Sequence, residues 1–245
     1  MTPEQQFERE LEVFRTEAES ASQFLFGYFA VHGAAADHKG VHRLLNTAPL
    51  FWNTALGALQ TAAHIALGRI FDQNSKHNVD SVLRIAQQNP DIFSKQALAK
   101  RKHAASANAA EWIDDYLKTA YVPSPDDFRR LRAHVANRRR IYDAKYRDIR
   151  DHFAHKLFSD RADVEAIFSK AKVDELQRLC VFFQRLYRAL AQLYNNGEKP
   201  VLHPMRHSAK RILDLPSPKG GRDTVQERIA QEAKRFLLAA AKDQS

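Results

Sequence analysis

Apolar residues recur at helical spacing along most of the chain, and this pattern predicts a protein built from helices. The first segment shows the pattern in Phe7, Leu11, Phe14 and Ala18. Steps of three and four residues place such side chains on one face of a helix. Alternating apolar and polar residues, the pattern of a half-buried strand, do not recur anywhere in the chain.

Two further segments refine the predicted elements. The segment 47–71 is apolar nearly all round, and this predicts a central helix that is the most buried element. The segment 91–119 predicts another helix, with a possible break near residues 100–103.

The segment that follows residue 123 predicts a long charged helix. Ser124 supplies a cap and Pro125 a first helical residue, while Asp126 and Asp127 complement the positive end of the helix. From there one helix can reach Leu157. Its predicted apolar stripe comprises Phe128, Leu131, Val135, Tyr142, Tyr146, Ile149, Phe153 and Leu157.

The composition changes after Gly197, where a glycine ends another long apolar helix. We therefore predict an all-α, antiparallel helical bundle over residues 1–197. A basic linker containing proline and glycine should follow over 198–222. The last segment, 223–245, predicts an amphipathic helix that either packs back on the bundle or docks a partner.

Charge and composition limit the possible partners. The 245 residues carry a formal net charge of +9, which favours a polyanion such as RNA or an acidic protein partner. The single cysteine, Cys180, cannot form an internal disulfide or a cysteine metal cluster. The acidic, polar N-terminus does not resemble a secretory signal, and no apolar stretch is long enough to span a bilayer. We expect a soluble, cytoplasmic protein with no membrane partner.

The stretch IRDHFAH, residues 149–155, is the candidate for chemistry. The spacing Arg-x4-His has little specificity in so basic a chain. It occurs at Arg129/His134, Arg147/His152 and Arg150/His155. Helical projection places Arg150, Asp151 and His155 together, opposite the apolar stripe.

A solvated helix face with ordinary i,i+4 pairs is the competing interpretation. A metal site formed by Asp148, Asp151, His152 and His155 is a weaker alternative.

The residues Arg150, Asp151 and His155 resemble the R-(N/H/D)-x3-H signature of HEPN domains. The upstream segment FWNTALGALQTAAHIALGRIFD, followed by a polar loop and NVDSVLRI, resembles the AbiU-like branch of that family, named for phage abortive infection. The resemblance covers roughly residues 5–197. It implies a helical bundle that forms a homodimer with two facing motifs, and in many members a metal-independent endoribonuclease.

The resemblance implies a role for each residue of this motif. Histidine has an unperturbed pKa near neutrality, so His155 could take the proton from a 2'-hydroxyl of RNA. Arg150 could bind the scissile phosphate and stabilise its charge. Asp151 would orient the histidine. This mechanism leaves a 2',3'-cyclic phosphate and requires neither a metal nor another cofactor.

Basic residues along the same helix are candidates for binding the RNA backbone: Arg138, Arg139, Arg140 and Arg147.

Three classes of function remain open. The first is a ribonuclease of the phage-defence or toxin type, with a possible antitoxin. The second is a noncatalytic HEPN module that binds RNA or nucleotides. The third is a helical scaffold for a protein partner.

Overall fold

In a computed structural model of the protein, the described residues are 1–155, 171–214 and 223–242, and the side chains of 153–155 lie outside this set. Every long regular element among them is an α-helix, which confirms the predicted all-α fold class. The helices are α1 (Pro3–Asp37), α2 (Lys39–Thr47), α3 (Pro49–Phe71), α4 (Val79–Gln88), α5 (Lys95–Ala105), α6 (Ile113–Thr119), α7 (Pro125–Lys145), α8 (Arg147–His155), α9 (Val173–Asn196), α10 (Ala209–Asp214) and α11 (Val225–Lys242). No helix in this part of the chain is long and apolar enough to cross a membrane.

Short polar side chains satisfy the free backbone groups at several helix ends. The Asn78 side chain accepts a hydrogen bond from the Ser81 backbone N–H at 2.9 Å, at the start of α4. Before α7, the backbone N–H of Ser124 donates to the Asp127 carboxylate at 2.8 Å. Gly197 ends α9 with a φ of 60°, a left-handed conformation that glycine adopts without steric cost.

The helices form two compact units, and most of the borders between these units fall inside helices. The first unit comprises Met1–Thr16, Arg69–Arg140 and Phe183–Pro204. Its core is rich in aromatic rings. The ring of Phe93 lies 5.3 Å from that of Phe7 and 5.5 Å from that of Phe128, measured between centroids. The guanidinium of Arg101 stacks over the ring of Tyr194 at 3.9 Å, an arrangement in which cation–π attraction adds to apolar burial.

The second unit comprises Glu17–Gly68, Ile141–Phe182 and Met205–Ser245. One of its apolar clusters joins α1, α2, α3 and α11, and its buried members are Val31, Ala34, Val41, Leu56 and Leu237. Elsewhere in this unit the Cys180 thiol is fully buried, and burial raises its pKa to about 12. Cys180 is therefore a core residue, as its position in an apolar helix predicts.

The long charged helix predicted for residues 125–157 is divided in two. α7 ends at Lys145 and α8 begins at Arg147. The Tyr146 hydroxyl accepts a hydrogen bond from the Lys172 backbone N–H, and its oxygen lies 3.1 Å from a Glu175 carboxylate oxygen. These contacts hold the junction against the start of α9, a long-range effect that helical periodicity does not encode. Phe153 and Leu157, two members of the predicted stripe, lie outside the residues whose side chains are described.

The prediction that 47–71 forms the most buried element is wrong for its N-terminal half. Leu50 is 81 % exposed and Phe51 is 64 % exposed, whereas Ala66 and Leu67 are fully buried. An all-round apolar sequence indicates that a helix can be buried on every side. It does not indicate whether other elements extend far enough to cover the whole helix.

The segment 91–119 forms two α-helices instead of one. The break lies between Ala105 and Ile113, and not near residues 100–103. Ser106 closes α5, since its backbone N–H bonds to the Lys102 carbonyl, and the backbone then turns through Asn108. Serine and asparagine favour such turns because their side chains compete for backbone hydrogen bonds.

The segment after Gly197 includes two helices within the described residues, α10 and α11. The longer one, α11, begins with a reciprocal cap. The Glu227 carboxylate accepts a hydrogen bond from the Thr224 backbone N–H at 2.9 Å, and the Thr224 hydroxyl oxygen accepts one from the Glu227 backbone N–H at 3.4 Å. It contacts α2 and α10 in the second unit. Of the two possibilities left open for this segment, packing within the chain is therefore the one observed.

Candidate functional site

Helix α8 carries the motif. Ile149 is fully buried and fixes one face of the helix in the core of the second unit, as the stripe predicts. Arg150, the next residue, is partly covered, with 23 % of its side chain exposed. The backbone N–H of Arg150 bonds to the Tyr146 carbonyl at 3.0 Å, so helical hydrogen bonding connects α8 to the residue at its junction with α7.

Arg150 lies in a crowded contact with α3. A Cβ atom placed on Gly68 would stand 3.0 Å from Arg150 Cγ and 3.1 Å from Arg150 Nε. Both distances are shorter than the ordinary van der Waals contacts of a Cβ atom. The arginine side chain therefore occupies space that any larger residue at position 68 would fill.

The phenol of Tyr142 forms another side of the same contact. Its oxygen lies 3.0 Å from the same Cβ position on Gly68, and the residue is almost fully buried. Burial raises the pKa of Tyr142 to about 12, and the positive charge of Arg150 opposes that rise. Tyr142 is therefore neutral at physiological pH and can offer its oxygen to a guanidinium N–H.

Asp151 pairs with Arg150. The distance from Arg150 Nε to Asp151 Oδ1 is 3.0 Å, and the aspartate side chain is 33 % exposed. The family resemblance implies that Asp151 orients His155. The contact that the structure describes for Asp151 is with the arginine. The orienting role stays a prediction, because the side chain of His155 lies outside the described set.

The backbone of His155 belongs to α8, but its side chain lies outside the described set. The other histidine of the helix, His152, has its side chain buried.

Arg147, the arginine of the overlapping pair, differs from Arg150 in its surroundings. It is exposed and bonds to Asp143, one turn earlier, at 2.7 Å. An exposed i,i+4 pair of this kind contributes little to stability. Of the two arginines on α8, only Arg150 has the close contacts with Gly68 and Tyr142.

The junction that precedes the motif is polar and tightly bonded. The Lys145 ammonium lies 2.6 and 2.8 Å from the two carboxylate oxygens of Glu175. That hydrogen bond is the main cause lowering the pKa of Glu175. Burial raises the pKa of Tyr146 to about 12. These groups link the start of α8 to α9 within the second unit.

The three arginines Arg138, Arg139 and Arg140 belong to the first unit and differ in accessibility. Arg139 forms an ion pair with Asp80, and only 13 % of its side chain is exposed. Arg138 is half-buried and lowers the pKa of the nearby Arg185, for which burial is the larger cause. Arg140 is exposed and bonds to the Asn137 side chain. Of these three, Arg140 is the best placed to meet a phosphate in solution.

Among the side chains that the structure describes, no group of three or more His, Cys, Asp and Glu residues could hold a metal ion. Of the metal set considered from the sequence, Asp148, Asp151 and His152 fall within that search, and the side chain of His155 lies beyond it.

Sequence reasoning does not place Tyr142 or Gly68 beside Arg150, although the basic residues around Tyr142 also suggest that its ring could stack on RNA bases. Tyr142 lies on the apolar stripe, which predicts core or dimer packing, and its burial confirms the packing. Its oxygen nevertheless faces a cation. Gly68 gives a weak signal in the sequence, since a glycine inside a helix with no turn to make usually marks a close approach of another group.

A family model described as AbiU2, of the HEPN class, matches residues 4–214 of this chain. The match includes the whole motif region and ends at the last residue of α10. No curated protein and no solved structure matches the chain.

Proposed function

The chain belongs to the AbiU2 family of HEPN domains, and from this membership and the surroundings of Arg150 we propose that it is a metal-independent endoribonuclease of the phage-defence or toxin type. The observation that carries the proposal is the fixed arginine. Arg150 is packed against Gly68 and paired with Asp151, on the helix that continues to His155. RNA, the proposed substrate, also suits the net charge of +9.

The proposed chemistry uses two side chains. His155 takes the proton of a 2'-hydroxyl, and the 2' oxygen then attacks the adjacent phosphorus. The bond between phosphorus and the 5' oxygen breaks, the leaving 5' oxygen takes a proton from water, and His155 returns its proton to the solvent. Arg150 binds the non-bridging oxygens and stabilises the charge that develops on them. The product ends in a 2',3'-cyclic phosphate.

We further propose that the protein acts as a homodimer in which two such motifs face each other, and that an antitoxin or other acidic protein can bind it. The basic residues Arg138, Arg139, Arg140 and Arg147 are the proposed contacts with the RNA backbone. Arg140 and Arg147 are exposed, and each could bind a phosphate without breaking a buried interaction.

The test is an RNA cleavage assay with the purified protein, run with and without a metal chelator. Arg150→Ala and His155→Ala should each reduce cleavage by about 10²-fold or more, the range usual for loss of a general base or a charge-stabilising donor. Mass spectrometry of the fragments should show 2',3'-cyclic phosphate ends. Fragments with only 3'-hydroxyl ends, or activity abolished by the chelator, would contradict the mechanism.

Matched controls separate the site from general basicity. Arg178→Ala removes an exposed arginine of α9 that pairs with Asp174. His134→Ala removes the exposed histidine of another Arg-x4-His pair, on α7. Both variants should keep wild-type activity. RNA binding without cleavage by the wild-type protein would instead indicate a noncatalytic HEPN module, and absence of both would indicate a protein scaffold.

A further inference from the structure

Gly68, inside α3, is closely approached by side chains of α7 and α8. Nothing in the geometry of α3 itself requires a glycine at this position. A glycine in the interior of a helix is destabilising relative to alanine. Gly68 is buried, and its missing side chain leaves the space used by Arg150 Cγ and Nε and by the Tyr142 oxygen. Gly57 lies in the same helix, and a Cβ atom placed on it would have no neighbour within 4 Å. Of the two glycines in α3, only Gly68 is crowded.

Three neighbouring residues crowd the Arg150 side chain. Gly68 lies against the aliphatic stem and Nε, and the phenol oxygen of Tyr142 borders the same space. The Asp151 carboxylate lies 3.0 Å from Nε. A free arginine side chain has a large rotamer entropy. Contacts that remove this freedom before a ligand arrives reduce the entropy that binding must later remove.

We propose that Gly68 and Tyr142 are positioning residues, which fix the Arg150 guanidinium in the orientation that binds the scissile phosphate of RNA. The inference rests on the proposed ribonuclease function and adds the residues that prepare its arginine. Gly68 acts by having no side chain, and Tyr142 acts through its neutral oxygen. Neither residue touches the substrate.

The first variant is Gly68→Ala. Alanine favours a helix more than glycine does, so α3 should persist, but the new methyl group would stand 3.0 Å from Arg150 Cγ and the Tyr142 oxygen. Displacement of the arginine should lower kcat about 10-fold or more and change KM about threefold at most, because misplacement affects the transition state most. Gly57→Ala is the matched control and should leave both constants unchanged.

The second variant is Tyr142→Phe, which keeps the ring and removes only the oxygen. It should also lower kcat more than it changes KM. Tyr194→Phe is the control for loss of a buried phenol, since Tyr194 lies in the other unit and its hydroxyl bonds to Glu8 at 2.8 Å. This control should retain wild-type kcat after correction for the folded fraction.

An NMR measurement that does not depend on cleavage tests the positioning role separately from the ribonuclease activity. In protein labelled with ¹⁵N-arginine, the Nε–H signal that disappears in Arg150→Ala belongs to Arg150. That signal should shift and exchange faster with solvent in Gly68→Ala and Tyr142→Phe, and remain in place in Gly57→Ala. An unchanged signal in both variants overturns the positioning role, even if kcat falls. If the wild-type protein cleaves no RNA but the signal responds as expected, the ribonuclease proposal fails and the packing of Arg150 stands.

Discussion

At the scale of single residues, two arginines of one helix differ in exposure and contacts because their neighbours differ. Arg147 and Arg150 lie one turn apart on α8, yet Arg147 has an exposed i,i+4 partner and Arg150 contacts a glycine on another helix. The sequence identifies both as basic positions on one helix. It cannot identify the neighbour of Arg150, because Gly68 lies far away along the chain.

Asp127 gives a pH dependence that belongs to this scale. Burial alone would raise its pKa, but hydrogen bonds from Tyr121, from the Ser124 N–H and hydroxyl, and from Arg130 outweigh burial and lower the pKa to about 2. A carboxylate with a lowered pKa stabilises the fold at pH above its unfolded pKa of about 4. This stabilisation is lost as pH falls from about 4 to about 2.

We therefore expect Asp127→Asn to lower the free energy of unfolding by about 2 kcal/mol at pH 6, and to have little effect near pH 2. Asparagine keeps a side-chain oxygen that can accept from the Ser124 N–H, so the substitution removes mainly the charge. Urea unfolding of both proteins across pH 2 to 7 provides the measurement. A difference that stays constant down to pH 2 would contradict the assignment.

At the scale of helices, the sequence located most elements well. The start of α7 follows from Ser124 and Pro125, and its buried stripe from the positions of Phe128, Leu131 and Val135. The predictions that failed concern where helices are interrupted and which helix faces are buried by other elements. The break at Tyr146 is held by groups at Lys172 and Glu175, and Leu50 is exposed because no other described element covers it. Both are tertiary facts, which local periodicity does not contain.

Helix α11 offers a prediction with an internal control. Leu237 is 1 % exposed and belongs to the cluster with Val41 and Leu56, while its neighbour Phe236 is 65 % exposed. Leu237→Ala should lower the free energy of unfolding by about 2 to 5 kcal/mol, because it leaves a cavity. Phe236→Ala should change it by about 0.5 kcal/mol or less. Equal effects in urea unfolding would show that α11 does not use this face.

At the scale of the whole molecule, the compact units do not follow chain order. Each gathers three separate stretches of sequence, and most of the borders lie within helices. The family match extends to residue 214, past the position where the composition changes. The division into residues 1–197, 198–222 and 223–245 stays a prediction.

The net charge is a property of the whole molecule, and it predicts how RNA binding depends on salt. The affinity for single-stranded RNA should fall steeply as salt rises, because each neutralised phosphate releases counterions. Arg140→Ala and Arg147→Ala should each reduce the slope of log K against log[salt] by about 0.7. Fluorescence anisotropy at several salt concentrations measures the slope, with Arg178→Ala as the control. A flat dependence in the wild-type protein would exclude backbone binding by these arginines.

The sequence by itself determined the helical class, most of the core positions and the family, and it predicts the motif at residues 149–155. Periodicity, capping residues and local motifs are properties of neighbours along the chain, and the sequence displays them directly. The tertiary structure decided which helix faces are covered, where α7 gives way to α8, and what surrounds Arg150. Gly68, Tyr142 and Arg150 meet because separate helices pack together, and the close approach at Gly68 depends on distances that no single segment contains.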